Sequence, residues 1–177
     1  MKKNRFSFLF LITALSLFLF GCHPSKASHL QAAPGAAEAI PIKGTVSVTA
    51  PEGMALYSSC PFTYEKKEWE LQLFVQEDML IDGELALDDR GHFLIQAVSD
   101  AKTYLFFDET VQLGIPAADV LVDAEEELHI ILRDIRSARY QITDFQYSLD
   151  EDEFIGQRVI SQDGSNYWGT VPSGGSF

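Results

Sequence analysis

Cysteine and histidine supply the side chains of this sequence that could act as nucleophiles, bases or metal ligands. The chain has two cysteines, Cys22 and Cys60, and two of its histidines, His92 and His129, follow residue 41. Neither histidine lies in a zinc-binding spacing, such as two histidines four residues apart beside a glutamate. The sequence neighbours of Cys60 are serine, proline and phenylalanine, which offer no base. We therefore expect a buried or inert free thiol at Cys60 and no catalytic role for either histidine.

Acidic residues form two short runs, Asp123–Glu127 and Asp150–Glu153. Calcium takes several oxygen ligands arranged around one point, and neither run has the spacing or the glycine of an EF-hand loop. The sequence also lacks a nucleophile elbow of the Gly-x-Ser-x-Gly type and a phosphate-binding glycine loop. We expect solvated acidic faces, no metal site, no cofactor and no catalytic residues.

Tyr167 and Trp168 form an aromatic pair in a glycine-rich segment near the end of the chain. Aromatic side chains often anchor interfaces, so this pair is a candidate binding site for a sugar ring or a protein groove. The alternative is that both rings pack against their own domain.

The first residues are basic and then apolar. Lys2, Lys3 and Arg5 precede an uncharged and mainly apolar run, Phe6 to Phe20. That run has about 15 residues, whereas a helix needs roughly 20 to cross a bilayer. A basic start and a short apolar run are typical of a secretory signal peptide.

The apolar run ends in Leu19, Phe20, Gly21 and Cys22, which resembles the lipobox of bacterial lipoproteins. The resemblance implies cleavage after Gly21 and a Cys22 that carries a thioether-linked diacylglycerol and an acylated amine. Several acyl chains together would hold the protein stably on a membrane. Because His23, not aspartate, follows the cysteine, the resemblance implies the outer membrane, facing the periplasm. The alternative is an ordinary signal peptide that leaves Cys22 free or disulfide-bonded.

The charge balance excludes some partners. The chain has 13 Lys and Arg residues against 26 Asp and Glu residues, a formal net charge of −13. Loss of residues 1–21 would remove three basic residues and bring the charge to about −16, which repels phosphate backbones. We expect no nucleic-acid partner; basic partners or cations are favoured. Residues 22–41, rich in Ala, Pro, Ser and Gly, are predicted to be a flexible tether.

Beyond the tether, apolar and polar residues alternate with period two, which is typical of half-buried strands. The clearest case has one apolar face: Trp69, Leu71, Leu73 and Val75. Residues 79–87 are predicted to form a hairpin with residues 92–98, across a turn at residues 88–91. Leu105, Phe106 and Phe107 are predicted to be core residues.

Residues 123–138 fit two patterns. As a helix they have an N-cap at Asp123 and apolar residues at helical spacing. As a strand they place Leu128, Ile130 and Leu132 on one face, and we favour the strand because its neighbours are strands. In the next segment a change of phase predicts a bulge near Thr143. A short helix is expected after Pro116.

These patterns predict a mostly β protein: a single antiparallel β-sandwich, or partly open barrel, of about seven or eight strands with at most one or two short helices. The domain would span residues 42–160, and residues 161–177 would be a polar tail.

The function predicted from these features is that of a membrane-anchored lipoprotein of the bacterial envelope. It would act without catalysis, as an interaction or assembly subunit of an envelope complex. The alternative is a lipoprotein that binds carbohydrate or another small ligand. A hydrolase that uses Cys60 or paired carboxylates is the third hypothesis.

Overall fold

The computed structural model describes residues 38–46, 51–86, 90–136 and 138–165. These residues contain eleven strands: β1 Ile40–Lys43, β2 Met54–Tyr64, β3 Lys67–Gln76, β4 Leu80–Ile81, β5 Glu84–Leu85, β6 Arg90–Ser99, β7 Lys102–Gln112, β8 Ala117–Val122, β9 Leu128–Arg136, β10 Ala138–Ser148 and β11 Glu153–Ser165. A turn of 3₁₀ helix, Glu77–Met79, follows β3. None of the helices in the described ranges is long and apolar enough to cross a membrane.

Nine of the strands form two antiparallel sheets. The five-stranded sheet has the order β1-β11-β10-β9-β8, and the four-stranded sheet has the order β2-β3-β6-β7. Just after β1, Thr45 pairs with Thr103 of β7 through two backbone hydrogen bonds of 2.9 and 2.8 Å, which joins the sheets along one side. Within the described residues no pairing joins β2 to β8, so the other side stays open.

This architecture confirms the predicted mostly β fold, an antiparallel sandwich that is also a partly open barrel. The strands outnumber the seven or eight expected, in part because the segment after Pro116 is a strand. Pro116 directly precedes β8, and the short helix predicted there is wrong. β8 pairs in regular register with β9, so pairing with a neighbouring strand decides this segment's structure.

The core lies between the two sheets, and the predicted alternation points into it. In β9, Leu128, Ile130 and Leu132 are buried, which confirms the strand over the helix. Trp69 of β3 is only 2% exposed and lies within 6.0 Å, between ring centroids, of four aromatic rings. Those rings are Phe62, Tyr104, Tyr147 and Phe154. Edge-to-face aromatic pairs contribute about 0.5–1.5 kcal/mol each beyond area burial.

The predicted bulge in β10 is confirmed, because the register with β11 shifts between Ile142 and Thr143. Two other local predictions are wrong. The first is the hairpin between residues 79–87 and residues 92–98. β6 pairs instead with β3 and β7, while β4 and β5 form their own small hairpin around Asp82 and Gly83, both at positive φ. Because the chain reverses direction at this two-residue turn, β4 pairs with β5 and residues 79–87 do not form one long strand that could pair with β6.

Leu105 is the second error, because it is 43% exposed whereas Phe106 and Phe107 are buried. The register between β6 and β7 shifts at this point: Ile95 pairs with Phe107, and Gln96 pairs with Leu105. The extra residue interrupts the alternation of faces, so two consecutive phenylalanines are buried and the leucine is not.

Asp152, in the turn between β10 and β11, connects the two sheets. Its Oδ1 accepts hydrogen bonds from the hydroxyl of Tyr104 on β7, at 2.7 Å, and from the hydroxyl of Tyr147 on β10. Lys102 of β7 forms an ion pair with Oδ2. Burial raises the pKa of Tyr147 to about 12, so its hydroxyl remains a proton donor at neutral pH. One carboxylate therefore satisfies two largely buried hydroxyls from opposite sheets.

The same contacts give Asp152 an effect on stability that depends on pH. The hydrogen bond from Lys102, together with those from Tyr147 and Tyr104, holds the pKa of Asp152 well below its usual range. A carboxyl whose pKa is lower in the folded state stabilises the fold above its unfolded pKa of about 3.9. That contribution is lost as the pH falls below about 4, towards the folded pKa.

We predict that Asp152→Asn lowers the free energy of unfolding at pH 7 by about 1.5–3 kcal/mol, the range for hydrogen bonds to charged groups. Asparagine tolerates the positive φ of 52° at this position, so the change removes the charge without adding backbone strain. Urea unfolding at several pH values measures the effect. The variant should also lose less stability than the parent chain between pH 4 and pH 2.

Asp150→Asn, at an exposed position in the same turn, is the matched control and should change stability by less than about 0.5 kcal/mol. Equal stability of the Asp152→Asn variant and the parent chain at pH 7, or identical acid sensitivity, would contradict this account of the turn.

Candidate functional site

The open side of the barrel is bordered by two edge strands with different properties. β2 is exposed from Leu56 to Pro61, and its register with β3 is interrupted between Leu56 and Ser58. Bulges and prolines are the features that natural proteins place on edge strands to prevent further pairing, and a proline lacks the N–H that a new strand would need. β2 is therefore a poorly adapted edge for adding a strand.

β8 has no such protection. Its six residues pair with β9 without a register shift, and they contain no proline. Leu121 and Val122 are 41% and 50% exposed, and Leu113 and Ile115 just before the strand are 60% and 40% exposed. Asp119, the one charged residue of β8, forms a salt bridge with Arg133 of β9 at 2.9 Å. β8 is a regular, apolar edge that offers backbone groups to a further strand.

A second candidate site lies on the outer face of the five-stranded sheet, around His129 of β9. The ring Nδ1 is 2.8 Å from Oδ1 of Asp144 on β10. The ring Nε2 is inaccessible to solvent and makes no hydrogen bond, although Oδ2 of Asp123 lies 3.4 Å away. Burial lowers the pKa of His129, but the two carboxylates outweigh burial and raise it overall.

The turn between β8 and β9 positions the acidic side of this cluster. Asp123 Oδ1 accepts hydrogen bonds from the backbone N–H groups of Glu125, at 3.0 Å, and Glu127, at 2.9 Å. These N–H groups, Glu127 first, lower the pKa of Asp123. Tyr64 at the end of β2 donates a hydrogen bond of 3.2 Å to the carbonyl oxygen of Glu126. The turn is thus fixed at both its carboxylate and its backbone.

An acidic cleft of about 680 Å³ adjoins the cluster and shares Glu127 and Asp144 with it. Its lining contains no lysine or arginine and includes six carboxylates: Glu65, Glu125, Glu126, Glu127, Asp144 and Asp150. The two acidic runs of the sequence therefore meet at one surface. Such a surface attracts cations and basic groups.

The remaining candidates from the sequence do not form a catalytic site in the described residues. Cys60 is exposed, so the expected burial of its thiol is wrong: it lies on the edge strand β2, in the stretch Leu56 to Pro61, where every residue is exposed. His92 contacts Asp108 at 2.7 Å and Thr110 at 3.2 Å. Neither His92 nor His129 contacts Cys60, which removes the thiol–imidazole pair that a cysteine hydrolase would need.

Gly21, Cys22, Tyr167 and Trp168 lie outside the described residues, so lipidation and the aromatic pair remain predictions. The structure adds the grouping of Asp123, Glu127, His129 and Asp144. Asp144 lies fifteen residues after His129, and only the pairing of β9 with β10 brings them together. Alternation on β9 placed His129 opposite the buried face, but no local signal identified its partners.

Comparisons of this chain with protein-family models, with curated proteins and with solved structures each return no match. Its function is therefore inferred from its own residues and geometry.

Proposed function

We propose that this protein is a lipid-anchored lipoprotein of the bacterial cell envelope that acts by protein contact, as a non-catalytic subunit of an envelope complex. The lipobox-like residues Leu19 to Cys22 support the anchor. The observation that carries the contact role is the unprotected edge strand β8, which has exposed apolar side chains and no neighbour on one side in the described residues.

The partner in this proposal contributes a β-strand that extends the five-stranded sheet at β8. In this mode of recognition, backbone hydrogen bonds give affinity and alternate side chains give specificity. Leu121 and Val122 would be covered in the complex. Burial of their side chains would stabilise the complex by about 25 cal/mol per Å² of apolar surface removed from water. The acidic surface of the chain favours a partner with basic residues around that strand.

The alternative, binding of carbohydrate or a small ligand, has weaker support. A sugar-binding face usually presents aromatic rings, and among the exposed large apolar side chains of the described residues Tyr57 is the aromatic one. This alternative rests mainly on Tyr167 and Trp168, outside those residues.

The strand-addition proposal predicts different results for two leucines on edge strands. Leu121→Lys on β8 should abolish recovery of the partner after crosslinking in intact envelopes, because a lysine on the edge opposes pairing with another strand. Leu56→Lys on β2 is the matched control, since Leu56 is 49% exposed and Leu121 is 41% exposed. The control should recover the partner as the parent chain does.

Pull-down followed by mass spectrometry measures both variants, and thermal unfolding checks that both fold. No protein recovered reproducibly with the parent chain, or equal recovery with Leu121→Lys, would contradict the proposal.

The anchor makes a separate prediction. Cys22→Ser should abolish labelling by radioactive palmitate, because the thioether cannot form. Cys60→Ser, which removes the other cysteine, is the matched control and should keep the label. Labelling that persists in Cys22→Ser would rule out Cys22 as the lipidated residue.

A further inference from the structure

We propose that Asp123, Glu127 and His129 bind a divalent transition-metal ion of the zinc type. Each side chain offers one ligand atom, and these three atoms lie within 4.8 Å of one another. The set joins an imidazole nitrogen to two carboxylate oxygens, all of which are donors that zinc accepts. The sequence predicted no metal site here, because it showed the acidic run but not the histidine that faces it.

The direction of the imidazole supports a metal ligand. In the neutral imidazole, which is the form that binds a metal ion, Asp144, hydrogen-bonded to Nδ1 at 2.8 Å, favours the tautomer with its proton on Nδ1, and the lone pair of Nε2 then faces Asp123. A carboxylate on the far nitrogen is also the usual partner of a metal-bound histidine, because it fixes the tautomer and orients the ring. Asp144 is thus a positioning residue, and Nε2 is the ligand atom.

The environment of Nε2 is otherwise unfavourable. When the ring is neutral, two acceptors, Nε2 and Asp123 Oδ2, face each other at 3.4 Å, and the nitrogen has no hydrogen bond and no access to water, so the pair favours a cation between them, either a proton or a metal ion. A buried polar atom without a hydrogen bond is uncommon in folded proteins and calls for a specific cause. Two ligand atoms that each lie about 2.1 Å from a tetrahedral zinc ion are about 3.4 Å apart. This matches the distance between Nε2 and Asp123 Oδ2, so a zinc ion would fit between these two atoms.

The carboxylates are already held in place. Oδ1 of Asp123 is occupied by the two backbone N–H groups of its own turn, which leaves Oδ2 towards His129. Gln146 of β10 donates a hydrogen bond to Oε2 of Glu127. Because the turn is ordered before the ion arrives, binding costs less conformational entropy. The acidic cleft beside the site raises the local concentration of cations.

The donor set also selects the ion. Calcium and magnesium prefer shells made of oxygen, whereas imidazole nitrogen is a good ligand for zinc and its transition-metal neighbours. Three protein ligands leave a fourth tetrahedral position for water. We expect binding of Zn²⁺ and Co²⁺ that a large excess of Mg²⁺ or Ca²⁺ does not displace.

Isothermal titration of Zn²⁺ into the full chain, purified in detergent, tests the site. His129→Ala should weaken binding at least tenfold, and Asp144→Asn should weaken it by about 10-fold to 100-fold, as is typical when the partner of a metal-bound histidine is removed. His92→Ala is the matched control, because His92 also contacts a carboxylate, Asp108, at 2.7 Å. It should change the affinity less than twofold.

A second measurement keeps the test independent of folding. In the parent chain, ¹⁵N spectra of the imidazoles should show Zn²⁺ on Nε2 of His129, with the proton kept on Nδ1. Binding that persists unchanged in His129→Ala, an ion on Nδ1, or displacement by equimolar Ca²⁺ would overturn the proposal. The last outcome would indicate only cations attracted to the acidic cleft.

Discussion

The carboxylate of Asp152 is the contact on which the relation between the two sheets depends. Tyr104 belongs to the four-stranded sheet and Tyr147 to the five-stranded sheet, and both hydroxyls donate to the same oxygen. Their rings pack with Trp69 and Phe154 in one aromatic cluster. A buried hydroxyl without a partner costs about 1–3 kcal/mol, so this carboxylate lets bulky aromatic side chains fill the core without that penalty.

The two sheets pair with each other on one side of the barrel, so the strands available for contact with a partner lie on the other side. The pairing of Thr45 with Thr103 joins β1 to β7, which leaves β2 and β8 as the edges in the described residues. Pro61 and a register shift make β2 unsuitable for pairing, whereas β8 is regular and apolar. The His129 cluster lies on the outer sheet face, at the turn that ends β8. Partner contact and metal binding would thus use adjacent parts of one sheet without competing for the core.

Local pattern was enough to predict the fold class but not the site. Alternation identified the inward face of β9 and the bulge in β10, because strand pleating is a local property. It failed at Leu105, where a register shift against β6 breaks the period, and at Pro116, where pairing with β9 overrides the local turn signal. The meeting of His129 with Asp144 depends on the register between two strands, which composition and spacing do not encode. The exposure of Cys60 likewise follows from its edge position.

Amide hydrogen exchange, measured residue by residue, tests most directly the claim that the two sheets form one unit with an open edge at β8. The account predicts that the core amides of β7 and β10 open with the same free energy, that of global unfolding. It also predicts that alternate amides of β8, those that face away from β9, exchange much faster than their neighbours. Different opening energies for the two sheets, or uniform protection along β8, would contradict it.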